Sequence, residues 1–174
     1  MIFCQVGTVL LTIIAKGKSV MFREMRRKEK QLSVEATIDV LTKGKDGVLA
    51  TIGADDYPYA VPLNYVYHND CIYFHCAGSG HKIDNITHHS KVSFCVVTDA
   101  EIIPEDFNTK FKSVVVFGTA LEVFDGEKEE GLWALVQRFS KDHLEAGKKY
   151  IQTAADKTKV YKIKIEHMVG KQTK

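Results

Sequence analysis

The fold is decided by the stretch Tyr73-Phe74-His75-Cys76-Ala77-Gly78-Ser79-Gly80-His81-Lys82. Apolar residues over 71–74 predict a strand, two glycines interrupt it, and an amphipathic segment begins at Lys82. Glycine lets a ligand approach the backbone, and the free N–H groups at the start of a helix favour an anion. With His81 and Lys82 beside these groups, the stretch predicts either a phosphate site or a plain connection between a strand and a helix.

The chain before this stretch predicts one helix and two strands. Ser33 has the features of an N-cap, and the amphipathic helix that follows it ends near Gly44. Apolar runs at 48–52 and 57–68 predict a hairpin, and the strand over 71–77 extends it to a three-stranded meander.

Two prolines give the second strand a special property. Pro58 and Pro62 lie inside the run 57–68, and proline donates no hydrogen bond to a neighbouring strand. We therefore expect this strand to have an unpaired edge or a bulge, where backbone groups are free to contact a ligand.

The chain after the glycines continues with alternating short elements. A short helix is predicted over 82–88, and an almost continuously apolar strand over 91–98, buried on both faces or at a subunit boundary. Residues 99–110 are acidic and contain a proline, which predicts a loop. A long strand is predicted over 111–124, with Gly118 as a bulge or bend.

The last third predicts a helix over 127–143 and a final strand from Val160 to Ile165. The segment 144–158 between them is polar and weakly patterned, with a mobile helix as one alternative. The first helix carries an apolar stripe, which is typical of a core or an interface. The stripe consists of Leu132, Leu135, Val136 and Phe139. Antiparallel strands with short turns and few helices predict a closed or nearly closed barrel, classed as all-β or α+β.

Composition excludes several classes of protein. The 174 residues are 45% hydrophobic and 26% charged, which suits one globular domain without disulfide or metal staples. The net charge of +2 comes from interspersed charges and gives no support for a nucleic-acid partner. The four cysteines lack zinc-site spacing, so we expect free thiols in a reducing cytoplasm and no metal site.

The first twenty residues differ from the rest. The apolar run 9–15 is too short to cross a bilayer, and no basic residue precedes it as a secretory signal requires. We therefore expect no membrane partner. Composition changes at Met21, which suggests that residues 1–20 are an N-terminal extension and 21–174 the domain; an added edge strand over 8–14 is the alternative.

Five segments, taken in order, resemble one family. They are Gly47-Val48-Leu49-Ala50-Thr51, Tyr57-Pro58-Tyr59-Ala60-Val61-Pro62-Leu63-Asn64-Tyr65-Val66-Tyr67, Ile72-Tyr73-Phe74-His75-Cys76-Ala77 with Gly80-His81-Lys82, Lys91-Val92-Ser93-Phe94, and Ser113-Val114-Val115-Val116-Phe117-Gly118. The series resembles the 5-nitroimidazole resistance (Nim) branch of the pyridoxamine 5′-phosphate oxidase-like, FMN-binding split barrels, from about Met21 to Lys171. The resemblance implies a six-stranded antiparallel split β-barrel with flanking helices, and a homodimer that binds two FMN molecules at the subunit interface.

The resemblance also implies the cofactor contacts. The strand Val61-Pro62-Leu63-Asn64 offers backbone groups to the flavin ring, and the segment from His75 to Lys82 holds the ribityl phosphate. Within that segment the expected contacts are His75, Ala77, Gly80, His81 and Lys82. His81 stands where the oxidases carry arginine, which predicts weaker, pH-dependent phosphate binding. Ser113 of the partner subunit stands where they carry a longer glutamine.

His75 matches the active-site histidine of the Nim proteins, and an imidazole can give a proton to a group being reduced. The expected function is that of an FMN-dependent oxidoreductase, in which NADH, NADPH or another donor supplies electrons for a small nitroimidazole-type acceptor. Residues that bind the product in the true oxidases have no clear match near the C-terminus. The alternatives are a non-catalytic FMN- or haem-binding split barrel, with His75, His81 or His167 as the haem ligand, and a dimer whose site has decayed.

Overall fold

The computed structural model describes residues 22–154 and 157–173. These residues form four α-helices and seven strands. The helices are α1 (Val34–Lys43), α2 (His81–His88), α3 (Asp125–Phe139) and α4 (Leu144–Ala154). The strands are β1 (Asp46–Ile52), β2 (Pro58–Asn64), β3 (Val66–His68), β4 (Cys71–Ala77), β5 (Lys91–Ile103), β6 (Asn108–Val123) and β7 (Thr158–Thr173). The predicted extension over residues 1–20 lies outside this part of the chain.

All seven strands form one antiparallel sheet in the order β2-β1-β5-β6-β7-β4-β3. The two edge strands, β2 and β3, are separated in sequence only by Tyr65, so the sheet must curl until its edges approach each other. This is a curled sheet of the split-barrel type. The unpaired edge that the prolines of β2 require is therefore confirmed, because β2 pairs only with β1 in the described sheet.

The expected count of six strands is not confirmed, because the strand predicted over 57–68 is divided at Tyr65. The Tyr65 side chain is fully buried in the barrel, and its hydroxyl donates a hydrogen bond to the Leu41 carbonyl at 2.6 Å. This bond ties the break between β2 and β3 to α1. The burial and the bond are tertiary contacts, which a local hydrophobic pattern does not reveal.

The core lies inside the curl. Side chains from five strands are fully buried there; they are Leu49, Phe74, Phe94, Val96, Val114, Val116 and Ile163. Helix α1 covers one end of the barrel with Val40 and Leu41, and the predicted Ser33 cap is confirmed, since its hydroxyl accepts from the Ala36 N–H at 3.2 Å. No helix in the described ranges is long and apolar enough to span a membrane.

The bulge predicted at Gly118 is confirmed. The pairing of β6 with β7 shifts register between Phe117 and Gly118, so that β7 has one extra residue, Glu166, at this point. A Cβ on Gly118 would lie 2.3 Å from the Lys164 carbonyl oxygen, so only glycine fits here without displacing backbone.

The loop predicted over 99–110 is wrong. Strands β5 and β6 continue through it as a hairpin, with Glu101 opposite Lys110 and Ile103 opposite Asn108. Pro104, Glu105 and Asp106 form a 3₁₀ turn, and the other acidic residues, Asp99 and Glu101, lie within β5. The composition of 104–106 marks the turn of a hairpin rather than a loop.

Two other predictions are corrected in part. Strand β5 is not buried on both faces within one chain, since Val97 is 55% exposed, which leaves the alternative of a subunit boundary. Helix α3 ends at Phe139, and a 3₁₀ turn at Lys141–His143 separates it from α4. The helical alternative for residues 144–158 is confirmed for 144–154, which form α4, whereas Thr158 already begins β7.

Candidate functional site

The candidate site is a seam between β2 and β4. Strand β3 pairs with β4 with Val66 opposite Tyr73, and extending that register would place Asn64 opposite His75. Instead of pairing, the two strands separate there, and Asn64 and His75 line a common cavity of about 250 Å³. The seam therefore combines an unpaired strand edge with a histidine and a partly open cavity.

The edge of β2 presents backbone groups to this seam. Pro58 and Pro62 lie opposite Ile52 and Val48 of β1, and because neither proline can donate, the bonds to β1 must come from the alternate residues of β2. Asn64 is two residues beyond Pro62 and therefore has the same orientation in the strand. The backbone groups of Pro58, Pro62 and Asn64 consequently face away from β1. Val61 and Leu63 are partly buried against the core, so their side chains anchor the strand while its backbone remains available.

Helix α3 supplies the apolar wall of the His75 cavity. The stripe predicted for a core or an interface, from Leu132 to Phe139, lines it together with Tyr150 and Ile151 of α4. The His75 side chain is still accessible to solvent in the single chain, but this wall displaces water from one side of its ring. The resulting desolvation lowers the pKa of His75, so the neutral imidazole is favoured at neutral pH.

The glycine loop forms an open cradle directly after the C-terminal end of β4. Gly80 is the N-cap of α2 with φ 142° and ψ 164°, a conformation that is essentially restricted to glycine. Its carbonyl accepts from the N–H groups of Ile83 and Asp84 at 2.8 and 3.1 Å. The N–H groups of His81 and Lys82 precede these in the first turn, where an α-helix leaves its donors free for a ligand.

Two contacts hold α2 in place beside the seam. Asn85, which is buried, donates to the Thr51 hydroxyl of β1 at 3.0 Å. The His81 ring lies against Tyr59 of β2, with 4.2 Å between ring centroids and 36° between planes. The first turn of α2 is thereby fixed close to Tyr59 on the edge of β2.

Lys82 and Ala77 complete this end of the seam. Lys82 is partly buried and lies near Cys76, where its charge opposes the dominant effect of burial, which raises the pKa of the Cys76 thiol. A raised pKa keeps this thiol protonated and unreactive. Ala77 is exposed at the end of β4, and its small side chain leaves the seam open.

Ser113 is the one predicted site residue that a single chain does not bring to the seam. It lies on β6 opposite Val97 and Lys171, and β5 and β1 stand between β6 and β2. Three strand spacings of about 4.8 Å place it roughly 14 Å from the edge of β2. The Ser113 side chain therefore does not lie at the seam of its own chain.

The outer face of the sheet is apolar over five strands. One row of residues runs straight across β2, β1, β5, β6 and β7, and it consists of Pro62, Val48, Cys95, Val115 and Val169. The next row contains Phe117 and His167, and Phe22 stacks on His167 with ring centroids 4.6 Å apart. A cavity of about 500 Å³ opens on this face between Phe22, Pro58 and Phe117. Ser113 lies on the same face.

Sequence reasoning missed several residues of the site. Tyr59 lies in the segment 57–67 that resembles the family, but nothing in the sequence indicated that its ring would lie against His81. Tyr150 and Ile151 had no usable signal, because their segment is polar and weakly patterned. Thr158, which also lines the His75 cavity, enters through the pairing of β7 with Ala77 of β4.

The comparison with protein families accords with this geometry. A family model described as pyridoxamine 5′-phosphate oxidase matches residues 33–172. The chain belongs to this family. The match runs from the N-cap of α1 to the last residue but one of β7, so it includes both the seam and the outer face. No curated protein matches the chain significantly.

Solved structures share the fold of the family. A candidate 5-nitroimidazole antibiotic resistance protein from Bacteroides thetaiotaomicron has a TM-score of 0.71 and 20% identity, covering 82% of this chain and 86% of that one. An FAD-binding protein from Mesorhizobium loti has a TM-score of 0.59 and 25% identity, covering 83% and 98%. An FAD and haem binding protein from Mycobacterium smegmatis has a TM-score of 0.74 and 18% identity, covering 83% and 74%.

Proposed function

We propose that this chain is an FMN-dependent oxidoreductase of the pyridoxamine 5′-phosphate oxidase family, which acts as a homodimer on small nitroimidazole-type acceptors. One observation carries the proposal. A glycine cradle with free helix N–H groups and a cavity containing a histidine lie along the same unpaired strand edge. The ligand that uses the cradle, the cavity and the strand edge together is a cofactor with a phosphate group and a planar ring that has a polar edge.

The residues present fit the phosphate of FMN. A Cβ at Gly78 or Gly80 would meet no atom within 4 Å, so the cradle is open, and Gly80 has the backbone conformation that exposes the first turn of α2. The N–H groups of His81 and Lys82 and the Lys82 ammonium would bind the phosphate oxygens.

The edge of β2 would hold the flavin ring. Backbone groups between Val61 and Asn64 lie along the seam, where they can pair with the polar edge of the ring. Ala77, at the opposite side of the seam, is small enough to let the ring approach. When bound, FMN would supply two-electron redox chemistry, and the chain would fix the position and polarity around it.

A dimer would complete this site. Ser113 lies on the apolar outer face, together with the row from Pro62 to Val169. An exposed apolar face that spans five strands is larger than a monomer normally leaves in water. Packing this face against a second copy would bury it and would bring Ser113 of the partner subunit toward the seam.

His75 is the proposed proton donor. Its ring lies in the cavity beside the β2 edge, next to the place proposed for the flavin ring. The volume of about 250 Å³ suits a small planar acceptor rather than a large substrate. Because desolvation lowers the pKa of His75, the protonated donor is more abundant in mildly acidic solution, and turnover is expected to rise there.

A second candidate function is storage or sensing of haem or flavin without turnover. A neutral imidazole is the form that ligates haem iron, and the lowered pKa of His75 favours that form. The other two candidate haem ligands already form ring contacts, His81 with Tyr59 and His167 with Phe22. The Mycobacterium smegmatis protein, which has a similar fold, is named for binding both FAD and haem.

Titration of the purified protein with FMN, FAD and haem separates these functions. We expect tight binding of FMN, anaerobic reduction of the complex by NADH or NADPH, and re-oxidation by a nitroimidazole. The variant His75→Ala should keep FMN and lose turnover, whereas His88→Ala, an exposed histidine at the other end of α2, should change neither. Release of flavin by His75→Ala, with normal turnover after reconstitution, would contradict the catalytic role.

A further inference from the structure

We infer that the hairpin over residues 98–112, hereafter the arm, closes the His75 cavity of a second copy of this chain, with Phe107 as its contact residue. The inference rests on the dimer of the proposed function. It goes further because it assigns the wall of the cavity, and hence the choice of acceptor, to the partner subunit. Four observations lead to it.

The arm is a built structure. The Thr173 hydroxyl accepts from the Phe111 N–H at 2.8 Å and donates to the Thr109 carbonyl at 2.7 Å, which ties the arm to the end of β7. Asp99 lies at a bulge with φ 55° and forms an ion pair with Lys112 at 3.3 Å. The arm is thus held in one orientation from its base to the pair Ile103–Asn108.

Phe107 is in a conformation and an environment that a single chain does not favour. Its φ is 48°, in the left-handed region where a bulky residue is rare, and its N–H donates to the Pro104 carbonyl at 3.2 Å. Its side chain is 99% exposed. Asparagine or glycine would suit this turn better, so a phenylalanine at this position indicates that something outside the described part of the chain covers its ring.

The position of the arm identifies the partner as a second copy. Ser113, at the base of the arm, lies on the apolar outer face that the proposed dimer buries. Asn108 lies five positions before Ser113, which is a distance of about 17 Å along a strand. With Ser113 of the partner subunit at the seam, the tip of the arm lies within this distance of the seam, on the surface of the opposite chain.

The surface around the His75 cavity complements the tip. The cavity mouth carries Phe139 and Tyr150, and the Tyr150 side chain is 69% exposed. Lys141 and Lys149 lie next to these residues in sequence, and both are exposed. The same stretch also carries the exposed Asp142 and Glu145, but Glu145 is paired with Lys148 at 3.0 Å. The tip of the arm offers the matching set, namely the acidic Glu105 and Asp106 beside the apolar Phe107 and Ile102, which is 76% exposed.

The arm would therefore determine how much of the cavity is open to acceptor and water. A phenylalanine ring over the mouth excludes water from the His75 ring and limits acceptor size. Removing the ring should admit bulkier nitroaromatic acceptors and raise KM for small ones. The residues that bind flavin are not altered, so the FMN content of the dimeric fraction should stay the same.

The first experiment measures the monomer–dimer equilibrium by sedimentation, which does not depend on flavin or activity. We expect Phe107→Ala to weaken dimerisation about tenfold or more, as truncation of a buried aromatic contact does. Phe107→Asn should do the same while the melting temperature of the monomeric form stays equal or rises, because asparagine suits φ 48°. Phe124→Ala, another exposed phenylalanine outside the arm, should leave the dimer unchanged. Equal dimerisation of the wild type and both Phe107 variants would overturn the inference.

The second experiment uses mixed dimers purified through two different tags, one chain carrying His75→Ala and the other Phe107→Ala. If the arm acts across the dimer, one site of the mixed dimer has both an intact His75 and an intact Phe107, and half of the wild-type kcat/KM returns. If Phe107 serves its own chain, the mixed dimer is no better than the Phe107→Ala homodimer, and the inference is overturned. Absence of FMN binding in the wild type would instead overturn the proposed function, and the sedimentation result would still decide the arm.

Discussion

His75 shows how a single residue acquires its chemistry from neighbours that are distant in sequence. Its position on β4 follows from a local strand pattern, but its protonation follows from the apolar wall of α3 more than fifty residues later. The wall lowers the pKa of His75 by desolvation. A histidine with an unperturbed pKa would be about as often charged as neutral just below neutral pH, whereas this one is mainly neutral.

The pKa of His75 in the flavin-free protein is therefore expected to lie below the usual value of 6.5. Proton NMR of the ring across the pH range measures it. Val136→Thr, which adds a hydroxyl to the wall, should move the pKa back toward 6.5. A wild-type pKa above 6.5 would contradict the account of the cavity.

The same shift has a consequence for stability. Because the folded state holds the proton less tightly than the unfolded state, the unfolded state binds more protons once the pH falls below about 6.5. The His75 contribution should therefore lower the free energy of unfolding as the solution is acidified, and should be absent above that pH. Urea denaturation at several pH values, compared with His75→Ala, checks this slope; an identical slope in the variant would contradict it.

Gly80 and Gly78 form a matched pair for testing the cradle. An alanine Cβ at either position would lie in open space, but of the two only Gly80 has a positive φ, 142°. Gly80→Ala should cost about 1–3 kcal/mol in this turn and weaken FMN binding about tenfold or more. Gly78→Ala should change FMN affinity little. Isothermal titration of both variants with FMN measures the difference, and equal affinities would show that the turn does not shape the site.

The sequence predicted part of the site at this scale. The glycines, His75, His81 and Lys82 stand in one short stretch, and a strand, a turn and a helix start are local features that pattern and composition reveal. Tyr59, Tyr150 and Thr158 could not be found this way, because each reaches the site through strand pairing or helix packing. The role of Ser113 came only from the resemblance, and a single chain does not position it.

At the scale of elements, the bulge in β6 and β7 was predictable and the arm was not. A glycine inside a long strand pattern indicates a bulge whatever the partner strand is. The pairing of Glu101 with Lys110 depends on two strands meeting, and the acidic residues and Pro104 concealed it. The division of the strand at Tyr65 was likewise hidden, since it depends on a hydrogen bond to α1.

The bulge predicts a clear difference between two glycine variants. Gly118→Ala would place a Cβ 2.3 Å from the Lys164 carbonyl oxygen and 2.9 Å from an Ile163 methyl, and should destabilise the chain by about 1–3 kcal/mol. Gly126→Ala, in the first turn of α3, meets no atom within 4 Å and should be neutral or slightly stabilising. Chemical denaturation of both variants measures these changes. A neutral Gly118→Ala would show that the strands around the bulge can move apart.

At the scale of the whole molecule, the outer face and the arm present two apolar surfaces that one chain leaves in water. The outer row from Pro62 to Val169 crosses five strands, and Phe107 extends beyond the barrel. The nearly continuous apolar run of β5 indicated this in the sequence, because a strand that faces water on one side alternates more strictly. The sequence left two explanations for this apolar run, namely burial on both faces of the sheet and burial at a subunit boundary.

Substituting a charge on the outer face should separate the two chains. Val115 lies in the centre of the apolar row, and Val115→Asp would bury an unpaired carboxylate in the dimer at a cost of several kcal/mol. We expect a monomer with reduced FMN affinity, because Ser113 of the partner subunit is lost with it. Val34→Asp, on the exposed side of α1, is the control and should remain dimeric. Size-exclusion chromatography with absorbance detection measures both properties.

Native mass spectrometry of the wild-type chain after incubation with FMN tests the central claim, that two chains enclose flavin in the seams between them. We expect one dominant species that contains two chains and two FMN molecules, and no flavin on any remaining monomer. A flavin-free dimer, or a monomer that binds FMN as well as the dimer does, would contradict it.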